Sequence, residues 1–168
     1  MPAPGQKTNA TLVLSASYTD KGGNNIKALT GNSVASLRSS TISFEGNEKL
    51  SGFTPIKYSG MNLVIFPAKD GWFACNKVDL TGVKSINLTS MWQTAPKGSI
   101  SFEARLDAPD GKLLGKGSMA VPKKGSVAGI TTIKFDAVKD GNMHEVYFLY
   151  HPQEQFTGGV TSLQFSSK

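Results

Sequence analysis

The chain has a single cysteine, Cys75, two histidines and only two arginines in 168 residues. One cysteine excludes a disulfide framework, and no C-x-x-C-H is present to carry covalent haem. A Cys/His zinc site would consume nearly every such residue in the sequence. His144 and His151 stand seven residues apart, an odd spacing that sends two side chains of one strand to opposite faces, so the pair does not chelate a metal. Long apolar runs are missing too. The longest, Met61 to Ala68, contains Asn62 and Pro67 and falls far short of the ~20 residues of a membrane helix.

Arginine is scarce where basic charge is not. Sixteen of the 18 basic residues are lysine, against 12 Asp and Glu, for a net charge of +6. They fall singly, with Lys123-Lys124 the one adjacent pair, and Arg rather than Lys suits bidentate phosphate and base recognition. The excess therefore reads as a solubilising lysine surface, not a nucleic-acid footprint.

Motifs of catalysis are absent as well. There is no G-x-S-x-G elbow, and no G-x-x-x-x-G-K-[ST] loop; Gly115-Lys116-Gly117 lies among strand-like residues with no helix following. Cys75, within Trp72-Phe73-Ala74-Cys75, reads as a buried structural thiol. The residues predict a protein that is not an enzyme.

What is present is a period of two. Ala10, Leu12, Leu14, Ala16 and Tyr18 alternate with Thr11, Val13, Ser15 and Ser17, and Ile100, Phe102, Ala104 and Leu106 alternate with Ser101, Glu103, Arg105 and Asp107. That pattern predicts half-buried strands. Ala108-Pro109-Asp110-Gly111 suits a tight turn, and Leu113 to Val121 returns. Further strands are expected at Ser33 to Phe44, Asn62 to Phe66, Trp72 to Val78, Ser85 to Trp92, Ile130 to Phe135, Glu145 to Tyr150 and Val160 to Phe165. No apolar stripe of helical period occurs, and 18 glycines and 8 prolines would interrupt one. The predicted fold is an all-β antiparallel sandwich of the jelly-roll, galactose-binding-like kind. Residues 1–9 read as a linker, and 10–168 as one sandwich module, with N-terminal strands over 10–40.

Sugars stack their C–H faces on aromatic rings and exchange hydrogen bonds with amides and carboxylates. Residues of those types outside clear strand interiors are Tyr58, Trp92, Gln93, His151, Gln153, Glu154, Gln155 and Phe156.

The stretch Asp70-Gly71-Trp72-Phe73-Ala74-Cys75-Asn76-Lys77-Val78-Asp79-Leu80-Thr81-Gly82-Val83, and the later Arg105-Leu106-Asp107-Ala108-Pro109-Asp110-Gly111-Lys112-Leu113-Leu114-Gly115, resemble family 6 carbohydrate-binding modules in order and spacing over 41–168. The opening stretch, with Ala16-Ser17-Tyr18-Thr19-Asp20-Lys21-Gly22, is similar to the C-terminal module of bacterial multidomain proteins that pair a quinoprotein-type sugar dehydrogenase with a c-type cytochrome. The first resemblance implies non-catalytic binding of a polysaccharide or oligosaccharide. The second implies neighbouring domains in a longer, periplasmic or secreted parent. A structural module packing against those neighbours, without binding sugar, is the alternative.

Against the family pattern, its calcium-ligating E-x-E reads Ser43 and Glu45 here, and its late acidic position falls at Thr161 or Ser162. Glu45 is thus the one candidate ligand for the structural calcium that the resemblance implies. The cleft tryptophan's loop is replaced by Lys124-Gly125-Ser126-Val127-Ala128-Gly129, and the cleft asparagine by Gly159. The sugar-contacting candidates are then Tyr58, Trp92, Gln155 and Phe156.

Overall fold

The computed structural model describes residues 11–46, 48–153 and 156–167, and among these it contains thirteen β-strands and no helix. The chain divides into two compact units, 1–39 and 40–168. In the first, β1 (Thr11–Thr19) and β2 (Thr30–Arg38) form an antiparallel hairpin. The carboxylate of Asp20 closes its loop by accepting the N–H groups of Gly22 and Leu29, both at 2.9 Å, and these two bonds hold its pKa below the usual carboxylate value. The register puts Leu12 opposite Leu37, Leu14 opposite Ala35 and Tyr18 opposite Gly31, so one face of the ribbon is apolar. Its Leu12, Leu14, Tyr18 and Leu37 are exposed.

The alternation of Ala10 to Tyr18 thus does produce a strand, but among the described residues β1 and β2 pair only with each other. The expected strand Ser33 to Phe44 is broken at Ser39-Ser40. Its first part is β2, and its second is β3 (Thr41–Ser43), which belongs to the other unit and pairs with β13 (Gly158–Ser166).

The second unit is the antiparallel sandwich. One sheet has the order β10-β9-β12-β7-β4, from Leu113–Met119, Ile100–Leu106, Met143–Tyr150, Gly71–Asp79 and Leu50–Ser51. The other has the order β11-β8-β13-β6-β5, from Ala128–Lys134, Ser85–Trp92, β13 itself, Met61–Ile65 and Thr54–Tyr58. Here β6 and β3 share one edge of β13, the first pairing at Gly159-Val160 and the second at Ser162 to Gln164.

Alternation explains most of what lies between the sheets. In β9, Ile100, Phe102, Ala104 and Leu106 are buried while Ser101, Glu103 and Arg105 face outward. In β7, Phe73 and Cys75 point inward, and a strict period of two would bring Lys77 in next. Instead Lys77 takes φ +54°, and the pairing jumps from Cys75↔Val146 to Val78↔His144. This bulge resets the alternation, so Val78 is buried and Lys77 is exposed. Phe73 stacks on Phe148 at 5.1 Å and meets Phe44, Phe53 and Phe102 edge-on. Every member of the buried core comes from the span 44–163.

At one end of the sandwich His144, only 8% exposed, lies between two carboxylates. Its Nδ1 is 3.0 Å from Asp107 in the β9–β10 turn, and its Nε2 is 3.1 Å from Asp140 in the loop before β12. Asp107 holds a left-handed backbone, φ +62°, and also accepts the Glu145 N–H at 3.1 Å. Only the imidazolium can donate from both ring nitrogens. Bonding to Asp107 chiefly, and then to Asp140, therefore raises the His144 pKa above 6.5 against the opposing effect of burial.

Two predictions follow from this packing. A raised folded-state pKa makes the clamp's contribution complete below the unfolded value near 6.5, and removes it as pH climbs through the folded value. Thermal melts of the wild type from pH 6 upward should therefore show a falling midpoint on the alkaline side, while His144→Asn starts lower and loses that dependence. Residues 40–168, expressed without the hairpin, should keep the near-UV circular dichroism of the whole chain's core.

Candidate functional site

The register sorts the loops into two groups. Segments 67–70, 93–99, 120–127 and 151–157 join strands at the end where Tyr150 and Gly158 lie. Trp92 is the last residue of β8 at this end and pairs with Gly158. Its side chain belongs to the core: it is 5% exposed, and Nε1 donates to the Ser126 carbonyl at 2.6 Å. An indole so enclosed offers no face to a ligand, which removes Trp92 as a stacking platform. Phe156 is half-buried, 5.0 Å from Phe66. A Cβ on Gly158 would sit 2.9 Å from the Phe156 ring and 3.2 Å from the Trp92 Cβ, so the absence of a side chain there lets these rings close over the strand.

Tyr58 lies elsewhere. It ends β5 beside a two-residue turn, Ser59 at φ +48° and Gly60 at φ +82°, the mirror-image turn that suits a hairpin. Tyr58 pairs with Met61, whereas Thr54 pairs with Ile65 at the Phe66 end. Four residues of strand, ~13 Å at 3.2–3.4 Å each, separate the two ends. Tyr58 is 61% exposed, but it is not brought together with Trp92 or Phe156. Gln155 lies outside the described residues.

What the fold does assemble is the outer face of the β10-β9-β12-β7-β4 sheet. Lys116 pairs with Glu103, Glu103 with Leu149, Leu149 with Trp72 and Trp72 with Ser51. Paired residues share a face, so a row of outward side chains crosses all five strands. Beside it Ser101 pairs with Ser118, and their hydroxyls are 3.0 Å apart. A cavity of about 380 Å³ opens here, lined by Ser101, Glu103, Lys116, Ser118, His151 and Gln153 among others. His151 is held by Asp70 at 2.9 Å. Two strands from Glu103, the half-buried Trp72 meets Tyr147 edge-on at 5.2 Å.

The charges on this face are paired. Glu103, its side chain 14% exposed, bonds to Lys116 and to Arg105 at 2.8 Å, and these cations hold its carboxyl below the usual range, Lys116 foremost. Arg105 also donates to the Gly111 carbonyl at 3.1 Å. Farther along, Glu145 accepts from Lys49 at 2.6 Å and from the Tyr147 hydroxyl at 2.8 Å; both lower its pKa, and the bond raises that of Tyr147. Burial pushes the Cys75 thiol up to about 12, so at neutral pH it is not a nucleophile.

Sequence reasoning marked His151 and Gln153 as polar loop residues, and missed Trp72, Glu103 and Lys116 as parts of a site. For Trp72 and Glu103 the signal is parity, opposite to Phe73 and Cys75 and to Phe102 and Ala104; Lys116 shares the parity of Leu114, which packs on the core, because the β10 register shifts between Leu113 and Gly115.

No protein-family description matches the sequence, and no curated protein does. Solved structures do match. A family 6 carbohydrate-binding module from Clostridium stercorarium, in complex with cellobiose, superposes with a TM-score of 0.61 at 13% identity, over 77% of this chain and 95% of that one. One from Clostridium cellulolyticum, in complex with xylose, gives 0.61 at 24% identity, over 76% and 97%. The fold is that of the family 6 modules. A CBM36 carbohydrate-binding module in complex with calcium and xylotriose gives 0.51 at 14% identity, over 75% and 98%.

Calcium takes six to eight oxygen ligands. Glu45 is exposed on the loop after β3, and the neighbouring Glu48 carboxylate is occupied with the backbone N–H groups of Glu45 and Gly46. Among the described residues no group of three or more His, Cys, Asp or Glu is placed to hold a metal.

The two tryptophans give the placement a direct check. In Trp92→Phe the remaining Trp72 emission should be quenched readily by acrylamide, while in Trp72→Phe the remaining Trp92 should be blue-shifted and shielded.

Proposed function

We propose that this chain is a non-catalytic carbohydrate-binding module whose ligand lies on the outer face of the β10-β9-β12-β7-β4 sheet. The observation that carries the reading is the cavity beside Glu103. Its ~380 Å³ falls within the usual range of small-molecule sites, and its lining offers hydroxyl, amide, carboxylate and ammonium groups, the partners that sugar hydroxyls need. An oligosaccharide crossing the strands from this cavity reaches Trp72 after two inter-strand steps, ~10 Å, about the span of a second sugar unit. Support comes also from the fold-sharing modules, described as complexes with cellobiose and with xylose. The site offers a shallow surface rather than an enclosed catalytic pocket, and Cys75, the most reactive type of side chain present, is locked away as a thiol.

The parent protein is, in this reading, an exported bacterial sugar-oxidising or polysaccharide-acting protein, periplasmic or secreted, with a quinoprotein dehydrogenase or cytochrome c domain beside the module. One observation favours a second role, packing against such a neighbour: the exposed apolar face of the β1–β2 hairpin, Leu12, Leu14, Tyr18 and Leu37.

Affinity electrophoresis through soluble glucans, xylan and pectin tests the binding reading. Retardation by one polymer is expected, weakened about tenfold in Trp72→Ala, which corresponds to ~1.4 kcal/mol, and unchanged in Trp92→Phe. A folded protein retarded by no glycan would leave the packing role alone standing.

A further inference from the structure

Two cations flank Glu103, while across the cavity His151 is held by the Asp70 carboxylate. Glu103 is the one carboxylate of its trio, set between Arg105 and Lys116, so the trio carries one net positive charge. Arg105 commits three of its five N–H donors to Glu103 and the Gly111 carbonyl, and its side chain is 27% exposed. Lys116 is different: its side chain is 63% exposed, and an ammonium has three donors, of which Glu103 takes one. Lys116 lines the cavity together with Ser101 and Ser118.

The same sign extends to the loops at that end. Segments 67–70, 93–99, 120–127 and 151–157 carry Lys69, Lys97, Lys123 and Lys124 against Asp70 and, in the sequence, Glu154. At the opposite end the balance is even: the ends of β7 and β11 and segments 80–84, 107–112 and 135–142 carry Asp79, Asp107, Asp110, Asp136 and Asp140 against Lys77, Lys84, Lys112, Lys134 and Lys139. The overall charge of +6 is thus unevenly divided along the strands, with the cavity toward the basic end. A neutral glycan has no use for this field, whereas an acidic one is both attracted by it and neutralised at Lys116.

We infer that the ligand is an acidic saccharide, a chain of uronic acid units, with one carboxylate seated on the Lys116 Nζ and the Ser118 hydroxyl. The inference rests on the sugar-binding reading above and specifies its substrate class. A single spare cation beside a retained Glu103 matches one charge per sugar unit and disfavours densely sulfated chains, whose charge would crowd the Glu103 carboxylate.

Isothermal titration with oligogalacturonate, its fully methyl-esterified form, a neutral xylo-oligosaccharide and dextran sulfate tests this, each at low and at physiological salt. The acid form should bind at least tenfold tighter than its ester at low salt, and salt should shrink that gap. Lys116→Gln should abolish the gap, by weakening the acid form at least tenfold more than the ester. Lys139→Gln, at the far end, should match the wild type. Equal affinity for acid and ester overturns the inference but leaves the sugar-binding reading intact, as does binding of the neutral saccharide alone. Dextran sulfate binding as tight as the uronate overturns it too, by showing a general polyanion surface. Binding to none of the saccharides overturns the sugar-binding reading itself.

Discussion

The rings gathered around Phe73 set the geometry on which the rest of the sandwich depends. Phe73 stacks on Phe148 within its own sheet and meets Phe53, from the segment between β4 and β5, edge-on. Phe102 and Tyr150 extend the cluster to Phe66. Because successive residues of a strand face opposite ways, fixing these rings inward fixes their neighbours outward. Trp72, Leu149, Glu103 and Ser101 are outward for that reason alone. A slip of one residue would bury Glu103 in β9 or Glu145 in β12 and expel the rings, at ~1.5–3 kcal/mol for each large apolar side chain. The outer row is therefore held by groups that never touch it.

This dependence also explains what could be read from the chain beforehand. The strands with unbroken alternation, β9 above all, were legible, and so was the turn at Ala108 to Gly111. The placement of Trp92 was legible in principle, since Ile86, Leu88 and Trp92 share one parity and the first two are plainly apolar. A residue at the end of a strand invites a loop assignment, and its partner, the Ser126 carbonyl, lies 34 residues on with no sequence signal. The bulge at Lys77 was not legible, because a residue in the left-handed region is normally announced by Gly or Asn. The break at Ser39-Ser40 was equally silent: both halves are good strands, and only their different partners separate them. Tyr58 has sugar-stacking chemistry, and only the register of β5 on β6 shows that it stands at the other end of its strand from Trp92 and Phe156.

Charge is distributed by the same logic as bulk. Along the sheet's outer face, cations and carboxylates are interleaved, so that Glu103 and Glu145 are each matched by lysine. At the end bearing Asp107 and Asp140, carboxylates converge on a buried imidazole instead. Exposed pairs of this kind are individually weak. Their value here is positional, since Lys49–Glu145 joins the segment before β4 to β12 and His144 joins two loops that have no strand pairing between them.

The sharing of β13's edge by β6 and β3 has a consequence for how the chain folds. Among the described strands, neither β3 nor β6 pairs with β8, and each reaches the body of that sheet only through β13. The sheet thus stays in two pieces until Gly158–Ser166 has been synthesised and released. Strands β3 and β6 must wait, unpaired on that edge, for partners about a hundred positions later. Long-range pairing of this kind makes folding slow. On the ribosome the emerging chain presents open strand edges throughout that interval, the exposure that favours aggregation.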